Sequence, residues 1–385
     1  MDPVWHQFPI QWVMGILPPK QPPRDRGAAS NAEGRFERLS REPFDDGWDG
    51  FEVEAPAIRT TVTPEPVRTV ITRNDSPDVP FDQALNPYKG CEHGCVYCFA
   101  RPSHAYLGLS PGLDFESRIF SKPQAPARLR TELSRPSYRC EVLAIGANTD
   151  PYQPAERKLQ ITRRVLEVLA ELEHPVSVVT KSNLILRDLD ILAPMAAKQL
   201  ASVFVSITTL DPVLARRLEP RAPSPERRLS AVRQLSEAGV PVGVLASPMI
   251  PALNDAELER ILETSRASGA RWARYLLVRL PHELKDLFAE WLDAEYPERA
   301  THVMNLIRET RRGRLNDPRF GTRMRGEGRY AELLERRFDV ACRRWGFDQR
   351  PFELDVSRFA ERARRGGQME LFDVCGTPRS APDNP

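Results

Sequence analysis

The run Gly90-Cys91-Glu92-His93-Gly94-Cys95-Val96-Tyr97-Cys98-Phe99 sets three cysteines in the spacing CxxxCxxC with no fourth cysteine nearby. Cluster iron is held by cysteine thiolates, and four of them close an electron-carrying site. Three suit a [4Fe–4S] cluster with one iron left open, and an open coordination position marks a catalytic metal rather than a structural one. The rival is a zinc site with His93 as fourth ligand, although His93 stands between two of the cysteines and strains a tetrahedral arrangement. A disulfide is a second rival.

The rest of the composition sets bounds. A chain of 385 residues accommodates one large domain with appendages or two to three ordinary ones. Its hydrophobic fraction of 41% supplies a core, and its formal net charge of +2 makes the whole chain no polyelectrolyte. Nucleic-acid contact would therefore come from a local patch. Six cysteines do not make a disulfide framework, and Cys140, Cys342 and Cys375 read as ordinary thiols. No apolar run approaches the ~20 residues of a membrane span. Asp2 and the lack of a positive leader region speak against a signal peptide, so a reducing cytoplasm is the expected location.

Residues 81–310 alternate strand-like and helix-like segments. Strands are expected at Glu141–Ile145, Val176–Thr180, Val203–Thr208, Val240–Ala246 and Ala273–Val278. Helical spacing runs through Ile161, Val165, Leu166, Leu169 and Leu172, through Leu229, Val232 and Leu235, and through Leu258, Ile261 and Leu262. Ser224 and Pro225 suit an N-cap and first turn, and Gly239 a C-terminal stop. Repeated β-α units predict a parallel sheet covered by helices, and about six strands fit an α/β partial (β/α)6 barrel. Residues 1–80 read as an N-terminal extension, partly disordered, with Ile58–Val62 and Val67–Thr72 as edge strands or an extended arm. Residues 311–385 read as a basic and helical C-terminal extension with a flexible tail.

In such barrels chemistry collects at the C-terminal strand ends. Those ends carry Gly146-Ala147-Asn148-Thr149-Asp150-Pro151-Tyr152, then Thr180-Lys181-Ser182, then Ser206-Ile207-Thr208. Lys181 is one of only seven lysines, and its cation suits a carboxylate. The hydroxyls of Thr149 and Ser206 suit a polar ligand; the plainer alternative is that all three satisfy loop backbone. Glu219, Arg221 and Arg228 follow the fourth strand, with solvent exposure as their default. Arg279 and His282 follow the sixth and are placed to meet a substrate phosphate.

The cysteine triplet, the aromatic Tyr97 before its third member and these strand ends resemble the radical S-adenosylmethionine (SAM) superfamily, in its spore-photoproduct-lyase-like branch. The resemblance spans roughly residues 85–280. It implies the partial barrel, a [4Fe–4S] cluster on Cys91, Cys95 and Cys98, SAM chelated at the open iron, and a reductant such as flavodoxin or ferredoxin. It also implies Tyr97 near the adenine, and Thr149, Lys181 and Ser206 as SAM contacts. The lyase's hydrogen-donating cysteine stands two residues before the position of Thr149, where this chain has Ala147. Tyr152 is a candidate radical relay or a packing residue. The stretch from His104 to Glu116 resembles one in lyase-like proteins, and either lines the substrate side or packs over the barrel.

Between Arg308 and Arg329 eight arginines face three acids, with Phe320 and Tyr330 as stacking faces, a pattern suited to a phosphate backbone or to a solvated loop. A helix is expected over 331–345, with Leu333, Leu334, Phe338 and Ala341 on its apolar face. Near the end, Gln368, Leu371 and Phe372 resemble peptides that dock on the bacterial DNA sliding clamp. The sequence thus points to a radical SAM enzyme acting on a nucleic acid, in DNA repair or modification. The alternatives are a protein or small-metabolite substrate, or a non-catalytic iron–sulfur sensor or electron carrier.

Overall fold

The computed structural model describes residues 22–23, 25–37, 58–348, 350 and 352–359. Six parallel strands form its centre: β1 (Gln83–Leu85), β2 (Leu143–Ile145), β3 (Val176–Thr180), β4 (Ala201–Ser206), β5 (Val242–Met249) and β6 (Trp272–Leu277). Each pairs with the next in chain order, and the short strand Thr72–Arg73 adds antiparallel at the β1 edge. The sheet stays open, as expected of a partial barrel. Val176 and Val178, Val203 and Val205, and Val242 and Val244 recur at every second position, so each pair shares one face of its strand, and all six join one core cluster.

Helices return the chain between strands: α1 (Ala125–Leu133), α2 (Ile161–Glu171), α3 (Leu189–Ala197), α4 (Pro225–Glu237) and α5 (Leu258–Ala267). Ser224 caps α4 by accepting from the Arg227 amide at 3.4 Å, and Gly239 ends it at φ 76°, where a Cβ would be strained. The carboxylate of Glu156 accepts from the amides of Ile161 (3.0 Å) and Thr162 (3.1 Å) and so caps α2.

Two departures stand out. The helix expected at 331–345 is α6 (Arg329–Trp345), and it is no appendage. Leu334, Phe338 and Ala341 belong to the main core, and the Phe338 ring lies 4.8 Å from that of Tyr275 on β6. It serves as the sixth unit's helix, displaced in sequence by a helical pair, Leu284–Glu295 and Pro297–Glu309. Leu333 faces outward, 55% exposed. In the N-terminal region, residues 25–37 pack on the barrel, with Arg26, Gly27 and Ala28 buried. Thr61–Pro64 pairs with Arg118–Ser121, which also holds Tyr88–Lys89, so the arm and the stem of the cysteine loop share one small sheet. Among the described residues no helix is long and apolar enough to cross a membrane. Gln368, Leu371 and Phe372 lie outside the described residues.

One buried base gives a pH-dependent expectation. The imidazole of His174, just before β3, has Nδ1 3.0 Å from the Pro175 carbonyl and Nε2 2.7 Å from the oxygen of the Tyr138 hydroxyl, which itself donates to Gln83 Oε1 (2.7 Å). Burial pushes its pKa down to about 4. Between about 4 and 6.5 the unfolded chain binds a proton that the folded chain refuses, so stability falls as pH falls through that window. Going from pH 7 to pH 5 should cost the native protein about 2 kcal/mol from this group alone. Urea melts of His174→Gln should lack that part of the slope; parallel pH dependences for the two proteins would refute it.

Candidate functional site

The cysteine loop leaves the small sheet at Gly90 and crosses the C-terminal ends of the strands. Gly90 (φ 76°) and Gly94 (φ 69°) take left-handed conformations there. A Cβ at Gly94 would stand 2.7 Å from a Glu116 carboxylate oxygen. Short turns hold the thiols: the Gly94 amide donates to the Cys91 carbonyl (3.3 Å), and the Cys98 amide to that of Cys95 (3.2 Å). The Val96 amide reaches the Leu218 carbonyl at 3.0 Å, tying the loop to the β4 side.

A buried ion pair fixes this backbone from behind. Arg101 is fully buried and donates to the carbonyls of Cys95 (2.8 Å), Gly94 (3.0 Å), Pro111 (3.1 Å) and Gly112 (2.9 Å), while pairing with Glu116. Glu116, also fully buried, accepts the amides of Gly27 (2.9 Å) and Ala28 (2.8 Å). The loop, the 104–116 stretch and the N-terminal segment therefore meet on one salt bridge. The 104–116 stretch takes the packing alternative: His104 and Phe115 are buried edge to face at 5.2 Å, although Tyr106 is 73% exposed.

Facing the loop are the residues expected at the strand ends. Asp150 accepts from Thr180 Oγ1 (2.7 Å) and from the Lys181 amide (2.7 Å), with His93 Nδ1 at 3.3 Å. Burial opposes its charge, but His93 and these donors win and hold its pKa down to about 2. The Lys181 ammonium lies 5.9 Å from the centre of the Tyr97 ring. Burial works against that cation too, yet the fields of Cys95 and Glu219 keep its pKa above the ordinary value. The donor hydrogens of Thr149 and Ser206 are spent on the carbonyls of Tyr88 (2.8 Å) and Ser247 (3.1 Å), which leaves each oxygen's lone pairs as acceptors.

Glu219 and Arg228 depart from the default of exposure. They form a buried ion pair, and Arg228 also donates to the carbonyls of Ser206 (3.2 Å) and Pro223 (2.9 Å). Glu219 accepts from Thr208 (2.6 Å) and from the Tyr97 hydroxyl, which fixes the ring beside Cys98. Arg221 is half-exposed and pairs with Glu92 of the cysteine loop at 3.1 Å. Tyr152 is buried in the core with its hydroxyl on Asp188 (3.0 Å), which favours packing over relay. Sequence reading missed Arg101, and it took Glu116 only as part of the 104–116 stretch and Thr208 only as the end of a strand. The Arg101 and Glu116 charges are 15 residues apart, and Glu116 follows Asp114 in a short helix, so no local pattern announces the pair.

The residues present fit an iron–sulfur group better than zinc. Burial pushes the Cys91 thiol well above its ordinary pKa and that of Cys95 up to about 12, with Lys181 pulling the latter back. Such thiols ligate when a metal takes the thiolate outright. His93 is turned toward Asp150, and among the described residues no three His, Cys, Asp or Glu side chains converge on one point as a single ion requires. Thiols spread along one loop suit a cluster whose irons are ligated separately.

Residues 85–264 match the Radical SAM superfamily. An uncharacterized protein of Mycobacterium tuberculosis is 38% identical over 232 residues, covering 60% of this chain and 68% of the relative. Another, of Methanocaldococcus jannaschii, is 27% identical over 223 residues, covering 57% and 79%. Among solved structures, spore photoproduct lyase complexed with dinucleoside spore photoproduct superposes with a TM-score of 0.54 at 15% identity, over 74% of this chain and 79% of the lyase. A mutant of that lyase with bound AdoMet and the same ligand gives 0.52 at 14% identity, over the same shares. At these identities the likeness to the lyase is one of fold.

Proposed function

The chain belongs to the radical SAM superfamily, and on that premise we propose that it begins radical chemistry on a nucleic acid. Enzymes of this family use a [4Fe–4S] cluster and SAM, and they need a reductant. When bound, the two would supply one-electron chemistry that begins with hydrogen abstraction from the substrate.

Cys91, Cys95 and Cys98 would hold the cluster. Tyr97 would flank the adenine, its ring fixed through Glu219 and Thr208. Lys181 would meet the SAM carboxylate, and Thr149 and Ser206 would accept from donors on SAM through their free lone pairs. The observation that carries this reading is the meeting of buried thiols and a half-buried ammonium over one set of strand ends, with no carboxylate within ion-pair distance of that ammonium among the described residues. Ala147 replaces the lyase-like hydrogen donor, so the proposed reaction is a nucleic-acid repair or modification that does not return hydrogen from that position.

The test is anaerobic. Reconstituted protein should change its cluster spectrum on adding SAM and should form 5′-deoxyadenosine under reductant, with a burst when single- or double-stranded nucleic acid is present. A cluster spectrum indifferent to SAM would indicate an electron carrier. A burst with peptides or metabolites but none with nucleic acids would remove the substrate assignment.

A further inference from the structure

The basic segment after residue 308 is fastened to the mouth end of β6. Arg311, 1% exposed, donates to the carbonyls of Leu277 (3.2 Å) and Val278 (2.9 Å) from one nitrogen. From the other it donates to those of Thr322 (3.1 Å) and Arg323 (2.7 Å). The Leu277 amide returns a bond to the Met324 carbonyl at 2.9 Å. Several arginines of the segment are consumed locally: Arg312 and Arg319 by Glu327 and Asp317, and Arg325 by Glu335. The segment as a whole is therefore no free polycation.

What it leaves at the mouth is more selective. Arg279, at the end of β6, lies 4.7 Å over the ring of Phe99, the residue after Cys98. Arg323 lies 4.7 Å over the ring of Phe320. Arg279 makes no hydrogen bond or ion pair among the described residues, and burial together with the positive charge of Arg323 holds its pKa below the ordinary value. The acid shared here is Asp78, which pairs with Arg323 and accepts the Gly321 amide at 2.6 Å. Phe99 and Phe320 are 43% and 57% exposed, so each presents a ring to solvent beside these cations. An under-neutralised guanidinium lacks an anion, and an exposed ring backed by arginine is a stacking platform.

We propose that this rim, built from Arg279 and Arg323 with Phe99 and Phe320, is where a single-stranded or locally unstacked nucleic acid lands, with a phosphate on Arg279 and bases on the two rings. The inference rests on the nucleic-acid reading above and deepens it: an unstacked strand delivers a single nucleotide to the mouth beside the cysteine loop. A continuous duplex offers no free base faces to such rings. An acidic peptide shares the anion chemistry but not the stacking.

The test is fluorescence anisotropy of a labelled oligothymidylate with reconstituted protein over a range of salt, for wild type, Arg279→Gln, Phe320→Ala and the outer-helix control Arg336→Gln. Matching iron content and circular dichroism establish that each variant is folded. Arg279→Gln should weaken binding about tenfold at low salt and reduce the slope of log K against log salt by about 0.7, the loss of one single-strand phosphate contact. Phe320→Ala should weaken binding about tenfold with the slope unchanged. Arg336→Gln should bind as wild type. If wild type binds the strand and both rim variants bind equally well, the rim is wrong and the nucleic-acid reading stands. If wild type binds no nucleic acid, both fall. If polyglutamate competes as well as the oligonucleotide and Phe320→Ala changes nothing, the surface takes acidic peptides and the proposal is overturned.

Discussion

Replacing Arg101 by methionine should destabilise the protein by about 3–5 kcal/mol and leave the cysteine loop unable to retain iron. The guanidinium is fully buried and satisfies four loop carbonyls, among them those of Gly94 and Cys95. Removing it strands those carbonyls and leaves the Glu116 carboxylate buried without its cation, the costly way to break such a pair. Glu116→Gln should be milder, because an amide still offers one acceptor to the Gly27 and Ala28 amides. The double variant Arg101→Met, Glu116→Gln should fall short of the sum of the two single losses, since neither stranded charge remains. Urea melts and iron per polypeptide after reconstitution read both effects. Wild-type stability with full iron in Arg101→Met would show that the loop is held by its turns alone.

That salt bridge illustrates what the sequence made legible and what it did not. Strands β2 to β6 were visible because short stretches rich in apolar residues, such as Leu143–Ile145 and Val176–Thr180, are set off by polar loops. The start and stop of α4 were visible because Ser224 and Gly239 act through their own backbone. In contrast, β1 (Gln83–Leu85) was hidden because a buried glutamine breaks the apolar pattern that the equally short β2 keeps. Helix α6 looked like an appendage because a helical pair separates it from β6, and sequence distance hides a partner that packing supplies. Glu219 and Arg228 were assigned to solvent by default, and that default failed, since both are buried; Arg101, also buried, drew no reading at all, and buried Glu116 only the shared reading of its stretch. In each case the partner lies across a loop whose path the residue types do not specify. The candidate site was legible by residue type, since thiols, lysine and hydroxyls were expected where they stand. The orientation of the hydroxyls was not, because the carbonyls that take their hydrogens come from β-strand ends distant in sequence.

Lys181 yields the second large expectation. Two lysine roles are possible at this place, neutralising the protein's own acids or receiving an anion from outside. Glu219 already has Arg228 as its partner, and Asp150 is satisfied by the Lys181 backbone amide rather than by its ammonium. The ammonium instead rests near the Tyr97 ring, its charge kept against burial by the fields of Cys95 and Glu219. A cation so placed is poised for the SAM carboxylate, and a carboxylate brought there without it is a buried charge without a partner. Lys181→Met should therefore weaken SAM binding at least about 100-fold, a loss of about 3 kcal/mol. The thermal melt of the SAM-free protein should hold or rise, since methionine fills the same volume without a desolvation cost. Lys181→Arg should recover part of the affinity, because a guanidinium also pairs with carboxylates. Calorimetric titration of SAM into the reconstituted protein, set beside the melts, separates the two roles. Unchanged SAM affinity together with a lowered melting temperature would make Lys181 a structural cation.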